Sequence, residues 1–150
     1  MKIYLDVSCL NRPFDDQTQP RIRLESDAVT IILGQIDAGI WELKSSRMAE
    51  IEVAAIADAT RRRRVFLLLP EDRMELSPPV FDRARRLVDR GLHAADAVHV
   101  AAAEFLGADV LLTCDDRLLR RCGRMTDELR VKVASPVQWL QEQDDAADSG

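Results

Sequence analysis

Short apolar runs of strand character alternate with longer runs of helical spacing along almost the whole chain, and this alternation limits the fold more than any other feature. Ile3–Asp6, Ile40–Lys44, Val110–Thr113 and Arg130–Ala134 read as strands. Between them, apolar residues recur at helical intervals, as at Ile22, Val29, Ile32, Leu33 and Ile36. Strands separated by helices return by right-handed crossovers and build a parallel sheet. The pattern predicts an α/β fold. At 150 residues, 47% of them hydrophobic, the chain suits one domain with a sizeable core.

The punctuation fits this scheme. Cys9–Gln19 holds Asn11, Pro13, Asp15 and Asp16 and reads as a loop. A helix follows from Pro20 to about Ala38, with Gly39 as its stop. Ser45 or Ser46 can cap a helix to about Thr60, and Arg61–Leu69 predicts another, interrupted by Pro70. Met74–Leu76 is a possible short strand. Ser77-Pro78-Pro79 opens a helix to about Arg90. An alanine-rich helix then runs from His93-Ala94 to Gly107. Asp116–Cys122 is a short helix, and Ser135-Pro136 starts a last one to about Gln143. The acidic residues 143–150 read as a disordered tail to a domain of residues 1–142.

Four acids occupy unusual places in this layout. Asp6 ends the first strand and Asp115 follows the third. In open α/β sheets the working site lies beyond the carboxyl ends of the strands. Asp96 lies among Ala94, Ala95, Ala97, Val98 and Ala101, and Glu52 among Met48, Ile51, Ala55 and Ile56. An ionised carboxylate in apolar surroundings is costly unless compensated, and one shared divalent cation would compensate all four. Blander roles exist for each. Asp6 can form an Asx turn, Asp96 can oppose the helix dipole, Asp115 or Asp116 can cap the helix that follows, and Glu52 can be solvent-exposed. Glu50 is the alternative to Glu52, about 200° away around the helix; the more apolar stripe favours Glu52. His93 and His99 could serve as ligands, but neither is needed and capping or packing is their expected role; packing is that of Trp41 and Trp139.

Net charge is −5, which disfavours nucleic acid as a partner for the whole surface. Two basic clusters depart from the average, Arg61–Arg64 and Arg117, Arg120, Arg121 and Arg124. Cys9, Cys114 and Cys122 have neither disulfide-framework nor zinc spacing, so reduced thiols in the cytoplasm are expected. No apolar stretch approaches the ~20 residues of a membrane span, and the N-terminus lacks the pattern of a secretory signal.

Tyr4-Leu5-Asp6-Val7-Ser8, a glutamate in the helix after the second strand, Ala95-Asp96-Ala97 in an alanine-rich helix and Leu111-Leu112-Thr113-x-Asp115 together resemble a PIN domain. The likeness covers roughly residues 1–142, and the length is that of VapC-type toxins. The resemblance implies a three-layer α/β/α sandwich with a central parallel β-sheet, and Mg²⁺- or Mn²⁺-dependent hydrolysis of RNA. It places Asp6, Glu52, Asp96 and Asp115 as catalytic metal ligands, with Ser8, Asn11, Thr113 and Asp116 supporting them. It further implies a toxin of a toxin–antitoxin pair, an antitoxin partner and a homodimer. A non-catalytic nucleic-acid-binding or scaffolding module on the same fold is the alternative. A haloacid-dehalogenase phosphatase is less suited, because Ser8 stands where it would want a second aspartate.

Overall fold

The computed structural model describes residues 1–149. Four strands, β1 (Lys2–Leu5), β2 (Glu42–Lys44), β3 (Val110–Leu112) and β4 (Lys132–Ala134), form one all-parallel sheet in the order β2-β1-β3-β4. The register pairs Ile3 with Leu43 and Val110, and Leu111 with Val133. The chain leaves β1 toward β2 on one side and comes back to β3 on the other. The β1–β3 seam is therefore the topological switch point, where open α/β sheets place their ligands.

Alternation along the strands divides the core in two. Ile3, Leu5, Val110 and Leu112 face one layer, which is closed by α1 (Val7–Asn11), α2 (Pro20–Asp37), α3 (Arg47–Ala54), α4 (Ala59–Phe66) and α8 (Pro136–Ser149). Tyr4 and Leu111 face the other, beneath α5 (Pro78–Asp89), α6 (Ala94–Phe105) and α7 (Asp116–Gly123). The result is the expected α/β/α sandwich. Ala97, Ala101, Ala102 and Ala103 of α6 are fully buried, because their small side chains let that helix lie close to the sheet. Trp139 docks α8 on Trp41, ring centroids 4.8 Å apart.

Several boundaries differ from the sequence reading. Cys9–Gln19 is not a plain loop: Val7–Asn11 is a helical turn that buries Val7, Cys9 and Leu10, continued by a 3-10 turn at Arg12–Phe14. So short a helix has too few residues to show a period. The helix after β2 stops at Ala54, and α4 restarts where Asp58 accepts a hydrogen bond from the Arg61 amide at 2.8 Å. Met74 makes a single parallel bridge to Ser46 rather than a strand. The last helix passes Gln143 and continues through Ser149, so the expectation of a disordered tail is corrected for residues 143–149. Alanine favours helix there, and Gln141 bonds Asp145 one turn on at 3.1 Å; Gly150 lies outside the described residues. Gly39, at φ 78°, ends α2 as expected, in a conformation that glycine adopts without strain.

Candidate metal centre

Asp6 is placed by β1 and held by β3. Its amide donates to the Leu112 carbonyl at 2.9 Å, which fixes the carboxylate just past the switch point. Two hydroxyls then fix its rotamer. Ser8 Oγ and Thr113 Oγ1 both donate to Asp6 Oδ2, at 2.7 and 2.8 Å. Each hydroxyl also accepts from the end of β3, Ser8 from the Cys114 amide and Thr113 from the Asp115 amide, both at 3.1 Å. With Oδ2 so occupied, Oδ1 is the atom turned to the site, 3.9 Å from His99 Nε2.

His99, expected from sequence to cap or pack, has contacts that the sequence did not reveal. It is 1% exposed, and both ring nitrogens are engaged. Nδ1 lies 2.6 Å from the Tyr4 hydroxyl, which lies 2.7 Å from Ser46 Oγ. Nε2 donates to Glu52 Oε1. In the neutral imidazole this requires the Tyr4 hydroxyl to donate to Nδ1; protonation reverses that bond. Ser46 stands at the N-cap position of α3, but its side chain makes no capping bond and is spent on Tyr4. A helical signal could have placed His99 one turn from Asp96, on the same side of α6. Its partners, however, come from α3 and β1.

Glu52, not Glu50, stands beside Asp6. Glu50 is bound by Arg47 and by Arg73, the latter at 3.0 Å, and these cations hold its carboxyl below the usual range. One donor atom each from Asp6, Glu52 and His99 lie within 4.8 Å of one another, and with both imidazole nitrogens engaged the carboxylate oxygens are the donors open to a cation. Asp96, in the first turn of α6, borders this group. Burial, then the negative charges of Asp6 and Asp115, push its pKa up, against the pull of His99 and His93. His99 responds oppositely: burial works against the imidazolium, but the Glu52 hydrogen bond and the charges of Asp6, Glu52 and Asp96 outweigh it and raise its pKa.

Asp115 does cap α7, with Oδ1 accepting from the Arg117 amide at 2.9 Å. Its second oxygen is not needed for that, and its charge still reaches Asp96. Asp116, expected as a supporting residue, instead lies exposed in a bidentate pair with Arg21, at 2.7 and 2.8 Å. One residue into a helix, its side chain is turned about 100° from that of Asp115. Asn11 donates to the Val7 carbonyl at 3.2 Å, within its own turn. Its Oδ1 is buried with no hydrogen-bond partner among the described residues.

Oxygen-rich donors, carboxylates whose charges oppose one another, and two hydroxyls preorganising one of them fit a hard divalent cation. The imidazole nitrogen in this group is already bonded to the Glu52 carboxylate, an arrangement that orients a carboxylate.

A PIN domain family model matches residues 3–124, a span that contains Asp6, Glu52, Asp96 and Asp115. No curated protein matches the chain. PIN domains are generally metal-dependent nucleases. A match over most of the chain agrees with the 2-1-3-4 parallel sheet and with acids gathered at its switch point, and the chain belongs to the PIN domain family.

Proposed function

We propose that this protein is a Mg²⁺- or Mn²⁺-dependent endoribonuclease, the toxin half of a toxin–antitoxin pair, with its nuclease domain at residues 1–142. The observation that carries the reading is the convergence of Asp6, Glu52 and His99 within 4.8 Å, beside an Asp96 whose charged form is disfavoured. Asp6, Glu52, Asp96 and Asp115 would hold the cation. The bound ion would neutralise the scissile phosphate and lower the pKa of an attacking water. The chain's own residues preorganise the centre: Ser8 and Thr113 lock Asp6, and His99 locks Glu52. No serine or cysteine nucleophile is required.

The choice of RNA rests on the likeness of the motifs to VapC-type toxins. No helix of the described residues is long and apolar enough to cross a membrane, and the three thiols are free, which suits a cytoplasmic protein. An antitoxin and a homodimer are proposed partners. Apolar side chains left on the surface of α2 and α5, Leu24, Ile31, Phe81 and Val88, offer contact area for either.

The test is cleavage of end-labelled RNA with Mg²⁺ or Mn²⁺, with chelator, and by the Asp6→Asn and Asp96→Asn variants. Metal-dependent cleavage lost in both folded variants supports the proposal. Equal behaviour of wild type and variants would favour the non-catalytic binding module.

A further inference from the structure

A second feature adjoins the acids. Between α2 and α7 lies an open cleft of about 650 Å³ whose wall includes Asp115. Arg12, Arg21, Arg117 and Arg120 line it with three carboxylates, Glu25, Asp115 and Asp116, and Arg12 is also paired with Asp15 at 2.8 Å. This basic surface belongs to a chain of net charge −5.

The cleft is built rather than incidental. Glu25 is 4% exposed, and burying a lone carboxylate costs several kcal/mol. Its Oε1 meets Arg12 Nε at 3.2 Å and Arg21 Nε at 3.4 Å. One buried acid thus contacts two guanidiniums, with Asp15 holding the other end of Arg12 at 2.8 Å. Arg21 continues across to α7 through its bidentate bond to Asp116, which ties the two walls together. Arg117 and Arg120 stand on the exposed side of α7, one turn apart, and neither is ion-paired among the described residues. Arg117 also directly follows the residues that close the acidic site. A polyanion extending from that site into the cleft would find Arg117 and Arg120 without carboxylate partners among the described residues, beside the already paired Arg12 and Arg21.

We propose that this cleft binds the backbone phosphates of single-stranded RNA flanking the scissile bond, with Arg117 and Arg120 as the two free phosphate contacts. The inference rests on the nuclease reading for the identity of the polyanion. Its electrostatics are testable separately.

The experiment measures fluorescence anisotropy of a labelled single-stranded RNA oligonucleotide with Mg²⁺ over a salt series, in an Asp96→Asn background that holds the RNA uncut. Two pairs of changes are compared in it, Arg117→Gln with Arg120→Gln, and Arg63→Gln with Arg64→Gln on α4. All four arginines are exposed or at the rim, and circular dichroism checks the fold. Losing two phosphate contacts lowers the log–log salt slope by about 1.4 for a single strand and weakens binding on the order of tenfold. The expected result is that loss for the α7 pair and a much smaller one for the α4 pair. An unchanged affinity and slope for the α7 pair, or equal losses for both, overturns the proposal. Cleavage by the protein with Asp96 intact is scored in parallel. RNA bound through the α7 arginines but never cut with Mg²⁺ or Mn²⁺ removes the nuclease reading and leaves the cleft standing.

Discussion

His99 Nε2 donates to the Glu52 carboxylate while Nδ1 rests 2.6 Å from the Tyr4 hydroxyl, so a buried imidazole joins the core strand β1 to an acid on α3. Glu52 is about one-third exposed, on a helix of only eight residues. Without this anchor it would sample several rotamers in solvent. His99→Ala is expected to cost about 2–4 kcal/mol in stability, mainly from the cavity, because the Tyr4 hydroxyl loses one of its two partners and keeps Ser46. It is also expected to weaken divalent-ion binding by about 10–100-fold, as loss of an orienting partner does. Tyr4→Phe keeps the imidazole in place and should lose less of both. Denaturant unfolding and calorimetric Mn²⁺ titration of the two variants check this.

Asp96 carries a cost in the metal-free protein, because burial and the charges of Asp6 and Asp115 disfavour its ionised form. Asp96→Asn removes that charge at nearly constant shape. The metal-free variant should melt a few degrees above the metal-free wild type while losing the stabilisation that added metal confers. Paired thermal scans with chelator and with Mg²⁺ show both effects.

The pH dependence has a definite sign. The Asp96 pKa is raised above 3.8, so its contribution to stability is present below 3.8 and is lost as pH rises through the folded value. The His99 pKa is raised above 6.5, so its contribution is complete below 6.5 and is lost as pH rises through its folded value. Both groups make the metal-free fold less stable from mildly acidic toward alkaline pH. Cations compete with these protons, so the Tm increase produced by millimolar Mg²⁺ should be larger at pH 8 than at pH 6. A shift that shrinks with rising pH contradicts the assignment.

The thiols should be inert in the native state. Cys9, Cys114 and Cys122 are all buried. Burial, with the charges of Asp96 and Glu104, pushes the Cys122 thiol up to about 12, and burial with the Cys114 contact raises Cys9. Iodoacetamide at pH 8 is expected to label none of them quickly until denaturant is added. Mass spectrometry of timed samples reads this directly.

The strand ends were open to sequence reasoning, and with them Asp6 and Asp115, because a strand followed by an acid is a local signal. Asp96 was legible from its alanine-rich neighbours, which mark the face of a helix pressed on a sheet. The apolar stripe of α3 favours Glu52 over Glu50, and the structure pairs Glu50 with Arg47 and Arg73 and Glu52 with His99. His99 itself was hidden, since Tyr4 lies 95 residues away and Glu52 47 residues away. Asp116 was misplaced because nothing local reveals that Arg21, 95 residues earlier, would claim it. The turn at Val7–Asn11 is held by tertiary burial of Val7, Cys9 and Leu10, not by its own helical propensity.

Direct titration of Mn²⁺ into the wild-type protein and into Asp6→Asn, followed by calorimetry, tests the central claim most closely. The expected result is saturable binding by the wild type that is lost or weakened at least tenfold in the folded variant. Absence of saturable binding to the wild type, or equal binding by both, would contradict a shared cation at the β1–β3 switch point.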